Sequence, residues 1–181
     1  PEFEGPTGQD TFHLLPFSSQ SLMDGRGANL PWLQATPDPL TTAAWHTWAE
    51  INVKTAEGMG IKEGDELELE SPAGKIKALA YLHPAAAPGV ISVPTGQGHD
   101  VFGSFEVGPD FKDFQTPVAK GRGDNLFKAL ALRKDKDTGA LAWAATRVRV
   151  IKSGKWTRLS KLEGVVTPIL NEEAIPLVRP E

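Results

Sequence analysis

The chain has 181 residues, 40% hydrophobic and 23% charged, enough for one domain whose core buries roughly 70% of the unfolded surface. Its net charge of −4 gives no electrostatic basis for nucleic-acid binding, which needs clustered Lys and Arg against phosphates. The absence of cysteine excludes disulfides, thiolate zinc sites, iron–sulfur ligation and cysteine nucleophiles, and no apolar run approaches the ~20 residues that span a membrane.

The opening stretch PEFEGPTGQD (1–10) lacks an initiator Met. It reads as a leader or cloning remnant on a domain taken from a longer protein. Strands are expected at TFHLLPF (11–17), WAEINV (48–53), DELELES (65–71), KIKALAYL (75–82), GVISVP (89–94) and ATRVRVIK (145–152). Alternation is clearest where Leu67 and Leu69 are set against Glu66, Glu68 and Glu70, and where Val148 and Val150 interleave with Arg147 and Arg149. A period of two marks one buried and one wet face. The turns have matching chemistry: SPAG (71–74) and KEGD (62–65) combine residues that fix or free the backbone.

Two short helices are expected, one over KTAEGMG (54–60) and one over DNLFKALAL (124–132) with Asp124 as its N-cap. Residues 95–123 read as a Gly-rich loop, and long ordered loops in compact domains tend to carry function. Residues 153–181 read as a tail packing on the body. The sum is mainly β with short helices, and the uneven strand spacing favours a barrel over a sandwich.

Catalytic signatures are missing. His13, His46, His83 and His99 show no metal-ligand spacing, and there is neither a Gly-x-Ser-x-Gly elbow nor a Gly-Lys-Ser/Thr phosphate loop. No catalytic and no metal-ligating residue is therefore nominated. What stands out is a pair of loops, GRGAN (25–29) and GRGDN (121–125), together with PTGQGH (94–99). Glycines let backbone amides approach an anion, guanidinium groups fork onto phosphates, and Asn offers both a donor and an acceptor to a heterocycle. The same residues also make ordinary turns. The Arg-Gly-Asp triplet at 122–124, read as an adhesion signal, rests on three residues alone.

The order of these elements is more specific than any one of them. Across residues 45–99 the chain reads W, EIN, TA, GIKEGD, ELELESPAG, PGV and PTGQGH, followed by GRGDN, a TG turn and a last strand. This succession resembles the C-terminal dinucleotide-binding domain of molybdopterin oxidoreductases, the dimethyl-sulfoxide-reductase superfamily, over residues 11–152. The resemblance implies a double-psi β-barrel (an aspartate-decarboxylase-like barrel) that closes over a molybdopterin guanine dinucleotide. It also implies redox chemistry and molybdenum or tungsten ligation in upstream domains of the same polypeptide.

Matching motif to motif, the resemblance nominates Ser18, Ser19 and Asn29 in the first loop, Asn52 in EIN, Gln97, Gly98 and His99 in GQGH, and Asn125 in the late loop. Family members often carry Thr, Arg and His in the first loop, where this chain departs. Trp32, Trp45, Trp48 and Trp143 are assigned to core or rim rather than to cofactor stacking.

The LPWLQATPDP and GQGH segments are similar to those of membrane-complex relatives, of polysulfide-reductase, tetrathionate-reductase or alternative-complex-III type. Iron–sulfur and membrane-anchor subunits follow as expected partners, with no nucleic acid and no direct membrane insertion by this chain. The alternative reading is a cofactor-free structural or interaction domain of a membrane respiratory complex subunit. A stand-alone barrel enzyme has no support, since neither a self-processing Gly-Ser nor an acid/base pair is present.

Overall fold

The computed structural model describes residues 2–99 and 118–162; the expected functional loop and tail therefore lie partly outside the described residues, at 100–117 and 163–181. Six strands form: β1 (Thr11–Phe17), β2 (Trp48–Asn52), β3 (Asp65–Ser71), β4 (Gly74–His83), β5 (Val90–Pro94) and β6 (Arg147–Trp156). They close into a barrel in the order β1-β5-β2-β4-β3-β6. β1 with β5 and β2 with β4 are parallel, and the other four pairings are antiparallel. Reading the ring in reverse maps β1, β2 and β3 onto β4, β5 and β6 and preserves every pairing direction. The chain is thus two interlocked halves of three strands.

The alternating residues set this arrangement. Leu67 and Leu69 point inward with no exposed surface, joined by Leu14, Ile51, Ile76, Ile91, Val93 and Val148, so that every strand supplies the same core. On the outer face the glutamates of β3 meet the lysines of β4: Lys75 Nζ lies 3.0 Å from Glu68 and 3.3 Å from Glu70, and Lys77 Nζ 3.2 Å from Glu66. Exposed pairs of this kind contribute little each but oppose a register slip that would turn the leucines outward. At the hairpin, Ser71 Oγ accepts from Ala73 N at 3.0 Å and donates to Ala129 O at 2.8 Å. The SPAG turn is thereby tied to a 3-10 helix (Leu126–Ala129) whose Leu126 and Ala129 join the core.

Two expectations are revised. The late helix is a single 3-10 turn, and its N-cap is Asn125, whose Oδ1 accepts from Phe127 N at 3.0 Å. Asp124 is held elsewhere, accepting from Lys77 N at 3.1 Å, Asn125 N at 2.8 Å and Lys128 Nζ at 3.2 Å. β6 continues past 152 to Trp156, because Trp156 pairs with Asp65 and its Nε1 donates to Glu63 O at 2.9 Å. α1 (Pro31–Ala35) is an element without an expectation. Near the start of the described chain, Glu4 N donates to Ala145 O at 2.8 Å and Arg147 N to Glu4 O at 2.7 Å.

The short helix after β2 is α2 (Val53–Gly58), capped by Asn52. Just past β6, Leu159 is buried and Ala44 N donates to Ser160 O at 2.9 Å.

Because Leu67 is wholly enclosed by side chains from both halves, Leu67→Ala should cost about 2–5 kcal/mol, read as a lower urea midpoint. Glu70→Gln on the outer face should stay within about 0.5 kcal/mol.

Candidate functional site

Strand direction decides which loops meet. β1 and β5 run parallel with Phe17 opposite Pro94, so the segments that follow them, 18–29 and 95–99, leave the barrel side by side. β2 runs against β5 with Glu50 opposite Ser92, which brings its start, preceded by residues 43–47, to the same end. The 118–125 loop joins them through Gly98 N, which donates to Arg122 O at 2.9 Å. Thr47 Oγ1 donates to Asp124 O at 2.8 Å and accepts from Asp124 N at 3.0 Å.

Two glycines make this junction possible. Gly98 has φ +81°, and a Cβ there would overlap the backbone of Asp124 and Asn125. Gly25 has φ +100°, and a Cβ there would run into the His99 ring. The GQGH loop is therefore the middle layer, with GRGAN against one side and GRGDN against the other.

Of the residues nominated from sequence, Ser18, Ser19, Asn29, Gln97, Gly98, His99 and Asn125 gather at this end. Ser18 is exposed on the rim of a cavity of about 240 Å³, lined also by Phe17, Asp24, Thr95, Phe127 and Trp143. Ser19 is buried, and its Oγ accepts from Leu22 N at 3.3 Å, holding the first turn of the loop. Asn29 is exposed, with its Oδ1 3.4 Å from the Ala119 N–H it accepts from. His99 Nε2 donates to Gly96 O at 3.1 Å, which places a proton on that nitrogen. Asn125 uses its oxygen as a cap; among the described residues its Nδ2 donates to no protein group.

Asn52 is not part of the cluster. It sits four strand residues from Trp48, about 13 Å along the barrel at 3.3 Å per residue. Its Oδ1 accepts from Lys54 N at 3.0 Å and Thr55 N at 3.3 Å, while its Nδ2 donates to Ala86 O at 2.8 Å.

Gln97 is buried, and its amide is engaged reciprocally with that of Gln34, each Nε2 donating to the other's Oε1 at 3.1 Å. Gln34 also donates to Ala28 O at 2.9 Å. Sequence reasoning missed Gln34, because a polar residue in a five-residue helix carries no periodic signal. It also missed Thr47, one hydroxyl between two aromatic-rich stretches.

The arginines of the twin loops differ. Arg26 is clamped by Asp24, with Nη2 2.7 Å from Oδ2 and Nε 3.0 Å from Oδ1. That bond lowers the Asp24 carboxyl to about 2. Arg122 donates through Nε to Val118 O at 2.6 Å, and its Cζ lies over Trp45, 5.3 Å from the ring centroid. Neighbouring His46 is 3.1 Å from Ser160 Oγ. Its pKa falls below the usual 6.5, first through burial and then through the charge of Arg122.

The molydopterin dinucleotide binding domain model matches residues 34–125, just over half of the chain. The chain belongs to that family. The domain is 31% identical over 144 residues to the arsenate respiratory reductase molybdopterin-containing subunit ArrA of Chrysiogenes arsenatis, covering 78% of this chain and 16% of that protein. It is 25% identical over 103 residues to the menaquinone reductase molybdopterin-binding-like subunit of Nitratidesulfovibrio vulgaris, covering 57% and 13% respectively. Acetylene hydratase from Pelobacter acetylenicus shares the fold, with TM-score 0.55 and 18% identity over 78% of this chain and 18% of that one. The domain thus spans less than a fifth of the length of the relatives it matches.

Two outcomes test this geometry. Gln97→Ala strands the buried Gln34 amide and should destabilise the domain by about 1–3 kcal/mol, with Gln34→Leu combined with Gln97→Leu recovering part of the loss, measured by urea unfolding. For His46 the folded state favours the neutral ring, so the unfolded chain binds more protons just below pH 6.5. Stability should therefore decline as pH falls from 6.5 through the lowered His46 midpoint, and His46→Gln should flatten that decline. An NMR titration should place the His46 midpoint below 6.5.

Proposed function

We propose that this domain closes over the nucleotide part of a molybdopterin guanine dinucleotide within a longer molybdopterin oxidoreductase. The observation that carries the reading is the layered junction of GRGAN, GQGH and GRGDN at one end of the barrel, inside or beside the family-matched residues. The double-psi topology fits the interlocked three-strand halves, whose parallel pair β1 and β5 sends two loops out at one end.

The donor set suits such a ligand. Asn125 Nδ2, the Arg122 Nη groups and the exposed Ser18 hydroxyl are polar, belong to the loops at this end and are not engaged by one another. His99 and Asn29 border them, whereas Ser19, Gln97 and Gly98 shape the loops. When bound, the cofactor supplies the redox centre; the residues of this chain bind and orient it and exclude water. Exposed Met23, Leu30, Trp32 and Leu40 lie in or next to the first loop and α1. Apolar surface of this kind suits docking against upstream domains of the same polypeptide, with iron–sulfur and membrane-anchor subunits further out in the complex.

One observation favours the cofactor-free alternative. Arg26 and Gln97 are already engaged by Asp24 and Gln34, as they would be in a barrel kept only for assembly. Metal analysis of the intact protein separates the two, since stoichiometric molybdenum or tungsten excludes the alternative.

Asn125→Asp retains the cap oxygen but removes the free donor, and His99→Ala opens the middle loop. In the intact protein both should lower the guanine nucleotide released by acid severalfold. Undiminished content in both variants would overturn the assignment of these loops.

A further inference from the structure

The twin loops are alike in sequence, yet their guanidinium groups differ in charge partner. Arg26 lies in an exposed turn with the Nε/Nη2 edge of its guanidinium taken by the Asp24 carboxylate. Arg122 is half-buried and commits only Nε, to Val118 O. Among the described residues no carboxylate pairs with it, and its charge acts on His46. Its guanidinium carbon lies over Trp45, 5.3 Å from the ring centroid. Such a cation–π contact holds the group in place while its Nη donors make no hydrogen bond to the described residues.

Trp45 is itself held in an unusual state, with φ +66°. A bulky residue rarely adopts a left-handed backbone, and such strain persists where the surroundings over-determine it, often at binding sites. Thr42 and Met23, also at this end of the barrel, share the positive φ.

We propose that Arg122 is the guanidinium that receives the diphosphate of the bound dinucleotide, with Trp45 as its positioning residue, while Arg26 only closes its own turn. This rests on the cofactor-binding reading given above. A diphosphate in the plane of Arg122 takes two parallel N–H donors, the geometry in which Arg outperforms Lys. Its negative charge also offsets the repulsion that Arg122 exerts on His46.

The test uses the 181-residue chain with guanosine 5′-diphosphate, inorganic pyrophosphate and guanosine as probes, followed by NMR and calorimetry. Saturating guanosine diphosphate should raise the His46 midpoint in the wild-type chain. Arg122→Ala should weaken guanosine diphosphate and pyrophosphate by about tenfold or more and leave guanosine unchanged, while Arg122→Lys recovers part of the loss. Arg26→Ala should stay within about twofold, as an exposed ion pair implies. Trp45→Ala should weaken both phosphate probes, and Trp45→Phe should restore them. Unchanged affinity in Arg122→Ala, equal loss in Arg26→Ala, or equal loss of guanosine overturns the assignment while leaving the cofactor reading intact. A wild-type chain that binds none of the three probes overturns the Arg122 assignment, and the cofactor reading is then decided by the metal and guanine content of the intact protein.

Discussion

Two parallel strand pairs in an otherwise antiparallel barrel govern everything at its working end. A parallel neighbour cannot be reached by a tight hairpin, so the chain must leave and cross over before it returns. β1 and β5 are such neighbours, and the segments that follow them emerge together although about 75 residues separate the strands in sequence. Had the pair been antiparallel, the first loop and the GQGH loop would have left from opposite ends. The convergence of loops is thus a property of strand direction, which the buried aliphatic faces then hold in register.

Within the cluster, most polar groups stabilise the loops themselves. Ser19 holds a turn, Gln97 holds Gln34, Thr47 holds Asp124, and Asp24 holds Arg26. Buried polar groups without partners are costly, so a scaffold of irregular loops must be satisfied internally before it can offer anything outward. Among the described residues, the outward-facing groups include the amides of Asn29 and Asn125, the Arg122 Nη groups and the Ser18 hydroxyl. Such economy is expected of a domain that completes a site whose other walls lie elsewhere.

The strands were legible because inward and outward residues obey a period of two, and the outer glutamates and lysines accentuate it. The beginning and end of β3 follow from KEGD and SPAG, where turn chemistry is local. Other features were not legible for equally physical reasons. The last four residues of β6 lack alternation and are held by Trp156 against Glu63, in the turn before the neighbouring strand β3 and 93 residues away in sequence. Helix α1 is too short to show a period.

Asp124 and Asn125 are both good caps, and the choice depends on Lys77 presenting its amide to Asp124 from another strand. Asn52 matched a family motif, yet its hydrogen bonds hold α2 and the turn at Ala86 at the far end. The nominated loop residues lie together because strand direction carries their loops to one end. Their individual duties depend on long-range partners that no single stretch reveals.

The Gln34–Gln97 pair has a kinetic corollary. A helix of five residues has no stability of its own in water, so α1 is ordered largely by what it docks against. Gln34 links it by two hydrogen bonds to the loop after β5, and that loop in turn is pinned by Gly98 to the 118–125 segment. Amide protons in α1 and in residues 95–99 should thus exchange with solvent as one opening unit, and whatever tightens the GQGH loop slows the breathing of a helix it never touches.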